Sequence, residues 1–524
     1  MEPVSLRYSP PLVNTALVRT LAIYAVILPL AVILGWLAVD LADWERTSFT
    51  VFAAVGFVLL LPLLLKWHYP VLVMSWATFV QIFFLPGKPS LWMLMAFLTV
   101  GIAIVNRIIQ KKTAFLSAPL ISVPLLLLGA VVLITAKLRG GFGLSAVGST
   151  VHGGKAYYYI IAAIIGYFAF ATQRIPVERA KLYVGFFFLS ALLSAGSHLI
   201  YWAGPAFYFL FLLFPAGFAA VQHASEQGGE MSISRIAGFG VAAASTGFYL
   251  LAVNGIRGVL KKWWRILLLV TVVGFGLMSG FRSTLVLFGL VFVILFFMEG
   301  LLRSPIFPAI LLAGGLAFAM LLPFSTSLPR SMQRSLSFLP IEVSPMVRAD
   351  ADSSIEWRLQ MWRAIVPDLP KYIWLGKGYA QNPTDIYLTQ QAVLRGRSPN
   401  YAGALLSGDY HSGPLSVYVP FGSFGAAAFL IFVVCSLRAL HLNYRYGSEE
   451  LRLYNRFLYA YFLARIIFFL AAFGALSYEL YVFTGIIGLS VALNGGVCRK
   501  PAFAPQPVSF RRNFVLRPSR SGAA

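Results

Sequence analysis

The sequence has few charged residues and few cysteines, and each shortage excludes a class of protein. Only 11% of its 524 residues are Asp, Glu, Lys or Arg, whereas about 25% is usual for soluble domains. Of its two cysteines, Cys435 lies in an apolar run and Cys498 in a basic tail, so neither a disulfide framework nor a cysteine-ligated metal is expected. HExxH, Walker A, GxSxG and paired CxxC motifs are all missing. The common metalloprotease, nucleotide-binding and serine-hydrolase signatures are therefore absent.

Apolar residues are in excess instead, at 59% of the chain with a mean hydropathy of +0.79. This composition predicts an all-α polytopic membrane protein, because a lipid-exposed backbone must satisfy its own hydrogen bonds. Fifteen stretches are apolar and about long enough to be candidate spans. They are Leu21–Val39, Phe49–Leu65, Pro70–Leu85, Leu91–Ile109, Pro119–Ala136, Ala156–Thr172, Leu182–Tyr201, Ala206–Val221, Ile236–Val253, Ile266–Gly280, Thr284–Leu302, Ile306–Phe324, Gly413–Leu437, Phe457–Leu476 and Leu480–Leu493.

The basic residues predict the orientation of the spans. The net charge of +23 comes from 41 Lys and Arg against 18 Asp and Glu, and most of the basic residues lie at the ends of apolar runs. This placement fits membrane lipid and not nucleic acid. Clusters at 257–265 and 438–445 and in the tail from Arg499 belong on the cytoplasmic side, which puts Arg282 and the 327–410 segment outside.

The first half of the chain agrees with this orientation only if one candidate is not a full span. Ala206–Val221 is short and carries Pro215 and Gly217, so we expect a re-entrant or interfacial piece there. The prediction is then a bundle of about 14 transmembrane helices with one large periplasmic loop.

Four regions are predicted along the chain. Residues 1–326 form an N-terminal transmembrane bundle, 327–410 the large periplasmic loop, 411–496 a three-span segment and 497–524 a basic cytoplasmic tail. A loop this long is usually functional. Within it we expect a helix over Trp357–Ile365, with Asp352 to Ser354 as its N-cap.

His411 closes the long loop and precedes an apolar run. It follows Asp409 closely enough for a carboxylate to orient the imidazole, an arrangement that suits a general base. The alternative is a histidine that merely sits at a membrane interface.

Two arginines are candidates for phosphate recognition, since a guanidinium group binds phosphate in a bidentate manner. Arg282 lies at the outer end of a span and Arg358 lies in the long loop. Each has a plain alternative. Arg282 alone could snorkel to the interface, and Arg358 could pair with Glu356 or Asp352 on a helix surface.

Further basic residues are weaker candidates. Arg465 lies about nine residues inside an apolar run, so it must face the bundle interior, where it either binds substrate or pairs with Glu479 or a backbone carbonyl. The glycine-rich 137–155 loop offers Arg139, His152 and Lys155 as a weak anion site.

Asp350 and Asp352 form an Asp-x-Asp pair that would suit a metal-dependent glycosyltransferase, although two carboxylates in a polar loop are more often simply solvated. No metal site is predicted.

The order of these features resembles the O-antigen ligase and polymerase superfamily of bacterial envelope glycosyltransferases. The resemblance covers roughly Met278 to Leu437 and rests on Ser279-Gly280-Phe281-Arg282-Ser283, on Arg358 and Trp362, on Leu375-Gly376-Lys377-Gly378-Tyr379, and on His411-Ser412 with Leu415, Gly422 and Gly425. Three residues near His411 differ from those usual in the family, namely Ser412, Pro414 and Pro420.

The resemblance implies a function. Such a protein lies in the bacterial inner membrane and transfers glycan from a polyprenyl diphosphate-linked glycan to a glycan or lipid acceptor, without metal or other cofactor. Arg282 and Arg358 would bind the diphosphate and His411 would be the general base, with Asp409, Arg139, Lys155 and Arg465 as possible supporting residues. Membrane lipid and other polysaccharide-assembly proteins are the further partners expected.

Several functions remain open at this point. Polymerase, ligase and protein O-glycosylation all fit the resemblance. From a different class, a lipid-linked glycan flippase or other polysaccharide transporter also fits a chain with this many spans. A transporter should distribute its polar residues between two halves, whereas here they concentrate in one loop that ends at His411, which favours an enzyme.

Overall fold

The structure is a computed structural model that describes residues 44–85, 87–110, 115–143, 153–227, 233 and 235–500. It is 78% helix. Within the described ranges there is no strand, and two residues, Gln81 and Ser90, pair in an isolated antiparallel bridge. The predicted all-α class is confirmed for this part of the chain. The first expected span, Leu21–Val39, and the tail from 501 lie outside it.

The helices follow one another with short connections. In chain order they are α1 Trp44–Ser75, α2 Leu91–Gln110, α3 Pro119–Arg139, α4 Gly154–Phe170, α5 Ala180–Leu189, α6 Gly196–Ala203, α7 Gly217–Gln227, α8 Ala237–Leu260, α9 Trp263–Met278, α10 Arg282–Met298, α11 Ile306–Leu321, α12 Arg330–Leu336, α13 Pro345–Ile365, α14 Pro383–Leu394, α15 Ala402–Ser407, α16 Gly413–Tyr446, α17 Arg452–Ala471 and α18 Leu476–Asn494. Short 3-10 turns join several of them, at Val177–Arg179, Ser190–Ala195, Pro205–Leu212, Leu301–Arg303, Leu322–Ser327, Val366–Tyr372 and Glu449–Leu451.

Eight helical segments of the described chain are long and apolar enough to cross a membrane, and α4, α9 and α10 are shorter apolar helices. These segments fit a multi-pass membrane protein. The predicted number of about 14 transmembrane helices is not confirmed by this count. The eight are Leu91–Ile109, Pro119–Arg139, Val177–Ala203, Ala237–Leu260, Ile306–Ser327, Gly413–Tyr446, Glu449–Ala471 and Leu476–Asn494.

The prediction of a separate span over Pro70–Leu85 is wrong. Residues 44–75 form one helix of 32 residues that kinks at Trp67 (φ −111°, ψ 18°), because a proline three residues later disrupts the helical hydrogen bonds of the preceding turn. The chain after Ser75 is irregular. Trp76 and Ile82 are buried there at 1% and 5% exposure, and the other apolar residues up to Leu85 are half-buried.

The interruption expected in Ala206–Val221 is present. A 3-10 turn covers Pro205–Leu212, and a new helix begins only at Gly217. Pro215 lies between the two, where it cannot continue a helical hydrogen-bond ladder. This stretch is not a continuous membrane-length helix.

Trp76 joins the helices that support the candidate site. Its indole Nε1 donates to the carbonyl of Tyr481 at 3.0 Å. Gly485 of α18 and Gly166 of α4 pack so closely on this ring that an added Cβ would lie 1.9 and 2.1 Å from its atoms. Close packing of α4, Trp76 and α18 therefore fixes the start of α18, which borders the site described below.

The long loop, residues 327–410, is largely helical and holds α12 to α15. The helix expected over Trp357–Ile365 is present but begins at Pro345, since proline suits the first turn of a helix. The predicted N-cap is therefore wrong, because Asp352 lies inside the helix. Ile365 packs with Tyr410 and Val419 in a small apolar cluster, which holds α13 against α16.

Candidate functional site

Two arginines bind the carboxylate of Asp350 on α13. Arg334 Nε lies 2.5 Å from one carboxylate oxygen and Arg235 Nη2 lies 2.8 Å from the other. Arg334 is 6% exposed in its side chain and also donates to the carbonyl of Gly280. Burial by itself would raise the pKa of Asp350, but the two guanidinium groups hold this pKa below its usual value. Asp350 is thus a charged centre that fixes the turn just before Arg282.

Two further arginines, Arg282 and Arg358, approach the same region without a carboxylate partner. Arg282 Nη2 donates to the carbonyl of Ala351 at 3.2 Å, and Arg358 Cζ lies 5.8 Å from the ring centroid of Phe473. Within the described chain neither makes an ion pair, so the suggested pairing of Arg358 with Glu356 or Asp352 is not observed. The two guanidinium groups lie within electrostatic range of each other.

The arginine cluster, defined as Arg235, Arg282, Arg334 and Arg358, therefore has a surplus of positive charge. Each of the four guanidinium groups lies within electrostatic range of at least two of the others, and the carboxylates in range of Arg282 are those of Asp350 and Asp352. Burial and the neighbouring Arg334 lower the pKa of Arg358, yet a guanidinium remains charged near neutral pH. A partly buried positive surplus of this kind favours binding of an anion.

His411 lies between two aromatic rings. Its ring centroid is 5.2 Å from that of Trp357 and 5.1 Å from that of Phe473. Its backbone has φ +48°, a left-handed conformation that few non-glycine residues adopt. The His411 amide donates to Asp409 Oδ1 at 3.4 Å, which helps to hold this conformation. Phe473 also contacts Arg358, so it links the imidazole to the arginine cluster.

The two imidazole nitrogens of His411 differ in their surroundings. Nε2 lies 3.8 Å from Asp409 Oδ2, whereas Nδ1 is buried and has no hydrogen-bond partner in the described part of the chain. Burial lowers the pKa of His411, Asp409 raises it and Arg358 lowers it, with a net lowering from 6.5. His411 is therefore neutral at pH 7, as a general base must be.

An apolar cavity of about 280 Å³ extends from this site into the helix bundle. Ser283 and Thr284, which follow Arg282, line it together with Phe473, which contacts His411 and Arg358. Aromatic side chains make up much of the remaining wall, among them Phe187, Phe188, Phe248, Tyr461 and Tyr481. The cavity can hold an apolar chain whose polar end lies at the arginine cluster.

Arg465 lines the apolar cavity and is paired. Its Nη1 lies 3.4 Å from Glu479 Oε2, and its Nε donates to the hydroxyl of Tyr461 at 3.2 Å. Of the two alternatives for Arg465, the structure shows the pair with Glu479. The pairing accounts for a charge among apolar helices without a ligand.

Arg139 and Lys155 lie apart from the arginine cluster. Arg139 Nε donates to the carbonyl of Gly376 at 3.0 Å and Nη2 to that of Leu375 at 3.4 Å, so its guanidinium group holds the glycine run of the long loop. Lys155 Nζ lies 5.9 Å from the centroid of the Tyr159 ring. His152 lies outside the described residues.

Sequence reasoning missed Arg235 and Arg334. Arg235 lies 115 residues before its partner Asp350, and no spacing predicts that contact. One signal was available, since the predicted orientation puts the chain just before Arg235 on the same side as Arg282. Asp350 itself was considered as a metal ligand, but both of its oxygens are engaged by arginine. The described residues hold no group of three or more His, Cys, Asp or Glu suited to a metal ion.

The membrane-length helices fit a multi-pass membrane protein, and its partly buried cationic site beside an apolar cavity is suited to an amphipathic anion. Residues 266–430 match the family model described as O-antigen ligase, and this range contains Arg282, Arg334, Asp350, Arg358 and His411. No curated protein matches the chain. The recognition made from the motifs is thereby confirmed over residues 266–430, and the match supports a membrane glycan ligase or polymerase.

Proposed function

We propose that the protein is a metal-independent glycosyltransferase that moves or polymerises glycan from a polyprenyl diphosphate-linked donor on the periplasmic side of the bacterial inner membrane. One observation carries the proposal. Arg282 and Arg358, which form no ion pair with a described residue, lie within electrostatic range of each other. Arg358 also lies within electrostatic range of a neutral His411 whose Nδ1 has no partner among the described residues. The match to the O-antigen ligase family model supports a glycan as the group that is transferred.

The arginines bind the donor diphosphate in this proposal. Arg235 and Arg334 share the single carboxylate of Asp350 and hold the framework, whereas Arg282 and Arg358, which form no ion pair with a described residue, are left to meet phosphate oxygens. Negative charge grows on the diphosphate as it leaves, and fixed guanidinium groups stabilise that charge most in the transition state. The apolar cavity receives the first part of the lipid chain, and the long loop covers the sugars.

His411 accepts the proton of the acceptor hydroxyl. The acceptor oxygen forms a bond to the anomeric carbon of the donor sugar, the bond from that carbon to the diphosphate oxygen breaks, and the electron pair leaves with the lipid diphosphate. Asp409 orients the imidazole and stabilises the imidazolium that forms. Arg139 supports the site through the glycine run, and Arg465 shapes the apolar cavity through its pair with Glu479.

A transfer assay with purified protein tests the proposal. The protein is reconstituted in vesicles with polyprenyl diphosphate-linked oligosaccharide, and the glycan is followed by its length and its attachment. We expect longer glycan or a new glycan–acceptor bond, and the same rate after a chelator is added. Movement of the donor between leaflets with no change of length or acceptor would overturn the proposal in favour of a flippase, and loss of transfer on chelation would overturn its metal independence.

The proposed side of the membrane has its own test. Cys435 and Cys498 are replaced by Ser, and a single cysteine is then introduced at Thr384 in the long loop or at Ser448 between α16 and α17, two exposed positions. A membrane-impermeant maleimide applied to intact spheroplasts should label the cysteine at 384 and not the one at 448. The reverse pattern would contradict a periplasmic site.

A further inference from the structure

A second cavity, which we call the polar cavity, has a volume of about 300 Å³ and plays no part in the mechanism above. It lies where the start of α4, the chain before α14, the end of α15 and the start of α18 meet. Its walls differ from those of the apolar cavity, because they combine tyrosine rings with small polar groups. The lining includes Lys155, Tyr159, Gln381, Ser407, Ser477 and Tyr478.

Four of these side chains are free to bind a ligand. Lys155, Gln381, Ser477 and Tyr478 make no hydrogen bond to any residue in the described ranges. They offer an ammonium group, an amide and two hydroxyls, which together can donate to and accept from several ligand oxygens. Tyr159 and Tyr478 add apolar faces, with ring centroids 5.7 Å apart at an interplanar angle of 66°.

This combination fits a carbohydrate. A sugar ring has hydroxyl groups around its edge and C–H groups on its faces, so it needs polar partners beside it and an aromatic surface under it. A lipid chain would leave the ammonium and the amide without partners, at a cost in desolvation. An isolated phosphate would not use the tyrosine faces.

The walls of the polar cavity are held firmly. Gly153 has φ +109°, and an added Cβ would lie 1.7 Å from the carbonyl oxygen of Tyr379. The hydroxyl of Tyr157 accepts a hydrogen bond from the Tyr379 backbone N–H at 3.0 Å. Only glycine permits this approach between α4 and the long loop, so the cavity is pre-formed.

Asp409 links the polar cavity to His411, because its Oδ2 lies 3.8 Å from His411 Nε2 and its carboxylate lies within electrostatic range of Tyr379 and Tyr478 in the cavity wall. Ser407 precedes His411 by four residues, and Asp409 lies between them. Phe473, which contacts His411 and lines the apolar cavity, precedes Ser477 by four residues. Burial above all, but also the Asp409 carboxylate, raises the pKa of Tyr379 in the cavity wall. His411 is thus linked through Phe473 to the apolar cavity and through Asp409 to the polar cavity.

We infer that the polar cavity binds the terminal sugar of the acceptor glycan, with its ring on Tyr478 and its hydroxyls on Lys155, Gln381 and Ser477. This inference rests on the proposed function, since it assigns one substrate of that reaction. It leads to two measurements, one of which needs no transfer at all.

The first measurement is direct binding of sugar. The oligosaccharide released by mild acid from the donor of the transfer assay has neither lipid nor diphosphate, and saturation-transfer NMR reports its contact with the full chain in nanodiscs. We expect Tyr478→Ala and Lys155→Met each to weaken binding about tenfold, the loss of one good contact. Tyr387→Ala and Lys137→Met alter exposed residues of the same types and should leave binding unchanged. Tyr478→Phe keeps the ring, so it should bind more tightly than Tyr478→Ala and guards against a folding defect.

The second measurement is kinetic. With donor saturating, Tyr478→Ala should raise the KM for acceptor about tenfold and leave the KM for donor unchanged, whereas Arg358→Lys should act on the donor. Unchanged sugar binding in Tyr478→Ala, or a change in the donor KM alone, would overturn the inference. A wild-type protein that binds the oligosaccharide through Tyr478 but never transfers glycan would instead contradict the proposed function.

Discussion

The helices α16, α17 and α18 carry polar groups at both of their ends, and the two ends are built on opposite principles. At one end Asn443, Asn455 and Asn494 form an asparagine cluster. The side chains of Asn455 and Asn494 bond to each other, Asn455 also donates to the Asn443 carbonyl, and the Asn443 side chain donates to the Ser490 hydroxyl. At the other end lies His411, whose Nδ1 has no partner among the described residues, next to Arg358, which has no counter-ion there.

Satisfied and unsatisfied polar groups have different uses. Asn455 Nδ2 donates to Asn443 O at 3.0 Å and to Asn494 Oδ1 at 2.9 Å, and Asn494 Nδ2 returns a bond of 2.7 Å to Asn455 Oδ1. Such a closed network stabilises helix packing and has no capacity left for a ligand. Buried groups without partners lower stability, and a fold retains them where a ligand completes them. The comparison predicts that substitutions at one end change transfer and at the other end change stability.

The largest expected effect is on transfer in His411→Ala. Without the general base, transfer should fall by about 10²- to 10⁴-fold, while donor binding and thermal stability remain near the wild-type values. His441→Ala removes an exposed histidine from the far end of α16 and serves as the control. Wild-type transfer by the His411 variant would remove this residue from the mechanism.

The next largest effect is expected for Arg358→Lys, with a loss of about 10²-fold in kcat/KM. The charge is kept, but a lysine cannot form the paired hydrogen bonds that a guanidinium group makes with phosphate oxygens. Arg363→Lys, at an exposed position on the same helix α13, should be near wild type. Equal activity in both variants would mean that Arg358 does not contact the diphosphate.

Much of this site was predictable and part of it was not. Arg282, Arg358 and His411 could be found because each stands near the end of an apolar run or in the long loop, with motif residues around it. Arg235 could not, since its contact with Asp350 depends on how α8 and α13 pack. The wrong prediction of a separate span over Pro70–Leu85 has a similar cause. Apolar composition alone does not distinguish a segment that spans lipid from one that, like Trp76, is buried inside the protein.

Asp409→Asn should have a smaller effect, seen mainly in the pH profile. The Asp409 carboxylate raises the pKa of His411 against the larger lowering by burial, so its neutralisation should lower that pKa further. In the proposed mechanism His411 works as a base above its pKa, and the decline of transfer on acidification should therefore begin at a lower pH than in the wild type. The asparagine still accepts the His411 amide, so the loop should keep its conformation. We expect a loss in rate at neutral pH of no more than about tenfold, from weaker stabilisation of the imidazolium.

The profile of transfer rate against pH in the two proteins checks this prediction. Asp385→Asn, an exposed carboxylate on α14, should leave the profile unchanged. A shift of the acid limb to higher pH in Asp409→Asn would contradict the assigned role of this carboxylate.

Asn455→Ala tests the other end of the helices, where no effect on transfer is expected. The substitution removes the hydrogen bonds that the Asn455 amide makes to the Asn443 carbonyl and to the Asn494 side chain, in a site where Asn455 is only 1% exposed. Each buried polar group that loses its hydrogen bond costs about 1–3 kcal/mol, so the protein should unfold at a lower temperature in detergent. Asn400→Ala, at an exposed turn of the long loop, provides the matched control.

At a temperature where Asn455→Ala is still folded, the kcat/KM of this variant should equal that of the wild type, because the contacts of Asn455 lie at the opposite end of α17 from Phe473 and His411. A loss of transfer without a loss of stability would mean that the two ends of these helices are coupled, and the division between a closed structural cluster and an open reactive site would then fail.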